Sequence, residues 1–302
     1  MITLNTDRGL QRIENFNEVH EIPGFVIDID PKSVKLEKII GNYTESVFVR
    51  CGLSSCHRKH GKGYLVSLAD GRITNIGKDC GKTHFDVDFE SMRRNFDRDI
   101  QNKERRENLK AFQHQIPAFR NIVSELLTEE AGANWINRKI QDLTNPGKGI
   151  PDSIVEVVRK VRLTREPTLS KPRFATKEEK EQVEVAEGRK IEGPYYIDEP
   201  VGTLDGIAAL YPENDLRELL VLGLQKLLCE IEELDVDSLS SPQLRANITQ
   251  ATGADAQLSR SRSAVNAGRL FLRSDNLRLL LEFAEDQNDQ WQFEKFLKSL
   301  DA

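Results

Sequence analysis

The stretch VRCGLSSCHRKHGKGYLVSLADGRITNIGKDCGKTHF, residues 49–85, decides how the first third of the chain folds. It holds Cys51, Cys56 and Cys80, three of the chain's four cysteines. The fourth, Cys229, stands alone in a leucine-rich segment, where it reads as a small apolar residue on a helix flank. Between the two cysteine-bearing ends, Tyr64–Leu68 and Arg72–Ile76 are apolar runs that flank Ala69-Asp70-Gly71. Asp-Gly between such runs predicts a β-hairpin, because glycine accepts the positive φ of a tight turn at little cost. The hairpin brings Cys51-x4-Cys56 and Cys80-x3-His84 toward one another. Cys80 and His84 lie one helical turn apart and face the same side. Asp79 is a capping candidate for that helix, and Gly77 and Gly81 let the backbone bend there.

Three sulfurs and an imidazole form the donor set that tetrahedral zinc takes in a closed structural site. Cys51, Cys56, Cys80 and His84 are therefore the expected ligands, with two from each element. His57 and His60 compete for the fourth place. Cys56-x3-His60 fits one helical turn, so Cys51, Cys56, His60 and Cys80 is the alternative set. A saturated ion has no open position for water, which favours a structural role over hydrolysis.

The order of knuckle, hairpin and ligand-bearing helix resembles the treble-clef zinc fingers over residues 48–88. GYLVSLADGRITNIGKDCGKTHF, residues 63–85, also looks like small zinc modules in phage and mobile-element proteins. His-metal endonucleases share the treble-clef scaffold, so the resemblance brings in a metal-dependent nuclease as a minor alternative. Those enzymes carry a general-base histidine on the first hairpin strand. Here that strand is read as GYLVSL, which has none, and His57 or His60 would have to act from a loop.

Charge is unevenly distributed. The chain carries −6 overall, yet residues 51–180 sum to +7 and residues 181–250 to −10. A basic segment around a metal site suits a polyanion. The candidate nucleic-acid residues are Arg58, Lys59, Lys62, Arg72, Lys78, Lys82, Arg93 and Arg94, with Tyr64 or Phe85 to stack on a base. Acidic residues interleave with the basic ones beyond residue 96, as on a solvated helix face.

Upstream, FVIDID, SVKLEKII and SVFVR within residues 24–50 read as short strands parted by PK and GNYTE turns. Downstream, Phe89, Met92, Phe96 and Ile100 begin a long charged helix, which Pro117 is expected to kink or restart. Residues 163–200 contain four prolines and dense charge, the composition of a linker. Leu216, Leu219, Leu220, Leu224, Leu227, Ile231 and Leu234 then mark an amphipathic helix behind an Asn-Asp cap.

The resulting expectation is an α+β protein. A β-rich zinc domain fills residues 1–88, long helices residues 89–162, a linker 163–200 and a helical domain 201–302. The chain lacks a signal-type leader or an apolar run long enough to cross a bilayer, so a soluble cytoplasmic protein with no membrane partner is expected. The expected function is non-catalytic binding of DNA or RNA around a structural zinc ion, and the resemblance implies a phage or mobile-element setting. The alternative is an assembly protein that uses the helical arm and residues 215–234 for self-association or a protein partner.

Overall fold

In the computed structural model, which describes residues 1–7 and 9–301, an antiparallel sheet is followed by a mostly helical remainder. The sheet runs in the order β2-β1-β3-β4-β5, from β1 (Ile2–Thr6), β2 (Gly9–Ile13), β3 (Leu36–Arg50), β4 (Lys59–Leu68) and β5 (Ile73–Gly77). The Asp-Gly hairpin is present. β4 pairs with β5 from Gly63↔Gly77 to Ser67↔Ile73, and Gly71 takes φ +83° at the turn.

The strands upstream of the cysteines differ from the sequence expectation. GNYTE is not a turn: residues 36–50 form one strand, because β1 pairs with it on one side and β4 on the other. Gly41 is what permits this, since a Cβ there would lie 2.7 Å from the Leu4 side chain of β1. FVIDID, by contrast, forms no regular strand. It contributes two isolated bridges, Phe25↔Ile73 and Ile29↔Leu53, and Asp28 takes φ 63° between them. The β1–β2 hairpin was not anticipated at all.

Two apolar clusters cover the sheet. Ile2, Ile13, Phe16, Val19, Tyr43 and Leu65 form one, with Val19 coming from the short helix α1 (Asn17–His20). The other joins Leu36, Ile39, Leu53, Val66, Leu68 and Ile76 to Phe89, Phe96 and Ile100 of α2 (Lys78–Thr128). Each aromatic ring so buried contributes roughly 1.5–3 kcal/mol. α2 therefore holds its first turn, and Cys80 with it, against the end of β5. The helix runs on through Pro117, and its non-helical residue is instead Asp86, at φ 45° and ψ −125°.

The remainder contains α3 (Ala133–Thr144), α4 (Asp152–Thr164), β6 (Thr168–Phe174), α5 (Lys177–Glu187) and β7 (Tyr196–Thr203). A π-helical stretch, Arg217–Gln225, leads into α6 (Lys226–Glu232), and α7 (Ser241–Phe271), α8 (Ser274–Leu277) and α9 (Gln287–Lys298) follow. Residues 163–200, linker-like in composition, thus carry strand, helix and most of a second strand, with β6 and β7 paired antiparallel. Leu219, Leu220, Leu224, Leu228 and Ile231 are buried within their own chain. Cys229 is not on the apolar flank that its spacing suggested: it is exposed, its thiol 3.6 Å from the Glu233 carboxylate.

The chain divides into two compact units, Met1–Phe112 with Asp235–Ile248, and Gln113–Leu234 with Thr249–Ala302. Among the described residues no helix is long and apolar enough to cross a membrane.

Candidate metal centre

Cys51 follows the end of β3, Cys56 sits in the turn that leads to β4, and Cys80 lies in the first turn of α2. The turn is closed by its own backbone. Cys51 N–H donates to Arg58 C=O (2.9 Å), and Cys56 N–H donates to Leu53 C=O (3.1 Å). It is also fastened to the sheet, because Gly52 N–H donates to Asn75 C=O (2.8 Å) and Ile29 N–H to Gly52 C=O (2.9 Å). Only glycine fits at position 52, where a Cβ would stand 2.0 Å from Thr74 Oγ1.

This architecture gathers three sulfurs. The Sγ atoms of Cys51, Cys56 and Cys80 all lie within 4.8 Å of one another, and Cys56 Sγ is 3.0 Å from Cys80 Sγ. Sulfurs on one tetrahedral zinc lie about 3.8 Å apart, so the cluster has the right scale. Backbone N–H groups of Leu53 and Gly77 point at Cys51 Sγ, and that of Arg58 points at Cys56 Sγ. Such donors favour thiolate over thiol.

The protons are shared unequally. Burial pushes the Cys51 thiol up, against the help of those amides. Cys80 is pushed up to about 12, by burial first and then by its bond to Cys56 and the charges of the other two sulfurs. Burial opposes the Cys56 thiolate as well, but hydrogen bonds from Cys80 and Arg58 N–H outweigh it and bring that thiol below its ordinary value. Three close sulfurs cannot all ionise unless a cation compensates them. A divalent metal with a taste for soft ligands would supply that charge, and the donor set fits zinc.

No histidine nitrogen joins the three sulfurs at 4.8 Å among the described residues, but two imidazoles border them. His84 lies one turn beyond Cys80, with Nε2 3.4 Å from the hydroxyl of Ser55, the neighbour of Cys56. His60 belongs to β4 rather than to a loop. Its Nδ1 is 2.9 Å from the Tyr43 hydroxyl, its ring stacks on the Tyr43 ring, and its Nε2 is buried without a hydrogen-bond partner. Burial lowers its pKa and keeps the imidazole neutral, the form that binds metal. Tyr43 accepts in turn from Asn75 Nδ2 (3.2 Å). Burial, with the nearby Cys51 and Cys80 charges, raises the phenol and keeps it protonated. His57 faces away, toward Asp28 and Arg50.

The eight basic residues separate into groups. Arg58, Lys59, Lys62 and Lys78 are exposed, line one cleft beside His60 and Cys80, and form no ion pair among the described residues. Arg72 is held by Asp70 (2.6 Å) next to the hairpin turn. Arg93 bridges Glu90 (3.1 Å) and Asp97 (3.2 Å), the latter shared with the Tyr64 hydroxyl. Lys82 and Arg94 are exposed on α2. Neither expected stacking ring is free. Tyr64 packs edge-on against Phe89 and Phe96, and Phe85 is half-buried against the same cluster.

The exposed ring in the lining of that cleft is Phe48, at 63% exposure. Phe48 and Val49 are adjacent in β3, so strict alternation can bury only one of them, and that was the available signal. Tyr43 and Asn75, which orient His60, carried no comparable signal. Comparison with family models, curated proteins and solved structures found no match for this chain.

Proposed function

We propose that this chain binds nucleic acid without catalysing a reaction, through an N-terminal treble-clef-like module that a structural zinc ion organises. The knuckle at residues 51–58, the β4–β5 hairpin and the start of α2 follow one another in treble-clef order. Cys51, Cys56 and Cys80 are three ligands of the ion. The fourth is His60, whose Nδ1 is already held by Tyr43 while its enclosed Nε2 has no partner. Metal-bound histidines commonly have the second ring nitrogen anchored in this way. His84 is the competing ligand, favoured by its place one turn after Cys80. When bound, the zinc neutralises the sulfurs and fixes the knuckle to the helix start.

The observation that carries the function is the set of four exposed cations, Arg58, Lys59, Lys62 and Lys78, which form no ion pair among the described residues and lie on the knuckle, β4 and the helix start. Cations left unpaired by their own chain are available to phosphates. A hydrolytic reading needs a base that water can reach, whereas His60 Nε2 is enclosed. Leu219, Leu220, Leu224, Leu228 and Ile231 are buried within the chain, which leaves Leu222 as the exposed leucine of the segment 219–231 for self-association.

Two measurements test the reading. Elemental analysis of protein purified without chelator should find about one zinc per chain. Cys80→Ser should lose the ion. With cobalt in place of zinc, His60→Ala should alter the visible spectrum and His84→Ala should not; the reverse result transfers the fourth position to His84. Nucleic-acid affinity should fall steeply as salt rises, and absence of binding at low salt overturns the function.

A further inference from the structure

We infer that the cleft between the β3 excursion and the start of α2 takes one or two unpaired nucleotides, with a base stacked on Phe48 and flanking phosphates on Arg58, Lys59, Lys62 and Lys78. This deepens the nucleic-acid reading and rests on it.

The cleft measures about 570 Å³. That lies inside the ~300–1,000 Å³ range of sites for small ligands and is far too small for a duplex. Its shape comes from a break in strand register. Thr44 pairs with Lys62 and Val49 with His60, so residues 45–48 of β3 swing out opposite Gly61 alone. Excursions of this kind re-aim side chains at sheet rims. Here it stands Phe48 away from both apolar clusters, at the cleft.

The chemistry is that of single-strand recognition. An exposed aromatic ring offers a stacking face, which a base in a duplex cannot use because its own neighbours cover it. The four cations supply phosphate contacts without an ion pair to break. Two carboxylates share the lining, Glu45 and Asp79, and Glu45 is held by the Met1 amino group at 2.8 Å. The lining therefore keeps a positive excess. A second charged cleft of this unit, beside β1, has no aromatic ring in its lining. Its cations are Lys38, Lys103 and Arg106, of which Lys103 is bound by Asn5 and the Thr6 carbonyl and Arg106 by the Leu239 carbonyl.

The test is fluorescence anisotropy on the full metal-loaded chain with labelled oligo(dT), oligo(U) and a mixed-sequence duplex at one fixed salt concentration. Both single strands should bind more tightly than the duplex. Phe48→Ala should weaken single-strand binding about tenfold, the scale for losing one stacked base. It should leave duplex binding and zinc content unchanged. Phe48→Trp should retain affinity, and its emission should be quenched on binding. Equal affinity for single strands and duplex, with Phe48→Ala silent, overturns the stacking cleft while the broader nucleic-acid reading stands. No binding of any oligonucleotide at low salt overturns both. A preference for oligo(U) over oligo(dT), or the reverse, assigns the strand type and supports the cleft in either case.

Discussion

The cations beside the cysteine cluster and Arg173 of β6 come from the same stretch of net charge +7, yet they are in opposite situations. Arg58, Lys59, Lys62 and Lys78 stand in a cleft without ion-pair partners among the described residues. Arg173 is clasped by Glu179 (2.7 Å) and Glu199 (3.2 Å), and Glu179 also closes a capping box with Thr176 at the start of α5. One group has no ion-pair partner among the described residues, while Arg173 serves the local fold. A segment's net charge counts both alike, so availability has to be read from the partners that folding supplies.

The largest test of this contrast is metal removal. In small zinc-finger peptides the ion contributes ~10–16 kcal/mol, and here the sheet has its own apolar core, so only part of that should be felt. Excess chelator should raise hydrogen exchange sharply in residues 49–85 of the full chain and leave β6 and β7 protected. Equal loss of protection in both places would erase the distinction.

A charge-reversal pair sharpens it further. Lys59→Glu with Lys62→Glu should reduce oligonucleotide affinity by more than tenfold at low salt and lower the salt slope by about 1.4, two phosphate contacts at ~0.7 each for a single strand. Reversing Lys171 and Arg173 should change affinity by less than about twofold. If the two pairs of reversals matched, partner-free and partnered cations would be equivalent for binding.

The smallest effect belongs to the capping box. Thr176→Ala should cost about 1 kcal/mol, confined to α5. The Arg173 guanidinium, then the Thr176 N–H, hold the Glu179 carboxyl down to about 2. Because the folded value is depressed, its stabilising effect is complete above the ordinary carboxylate range and disappears as pH falls through about 2. Carboxyl-selective NMR should place the Glu179 transition there, and a midpoint near 4 would remove the clasp.

The sequence made legible what is local. Asp70-Gly71 announced the hairpin, and cysteine spacing announced the sulfur cluster. The apolar period of Phe89, Phe96 and Ile100 announced α2. What escaped depends on distant partners. GNYTE reads as a turn until residues 2–4 and 62–65 pair on either side of it, with Gly41 making room for Leu4. The β6–β7 pairing is hidden by prolines and charge, since an exposed two-stranded ribbon needs little apolar alternation. Equally non-local is the setting of His60, whose Nδ1 meets the hydroxyl of Tyr43, seventeen residues away, while its Nε2 has no hydrogen-bond partner.

The excursion of β3 at residues 45–48 has a consequence for how such a module can diversify. Thr44 and Val49 are pinned by β4 on either side, so residues inserted between them lengthen the outward finger without sliding the strand. Doubling such a loop costs only ~0.6 kcal/mol in closure entropy. Its tip is therefore the place where residues can be added or exchanged, by mutation or by grafting, while the cysteine knuckle and the sheet stay as they are.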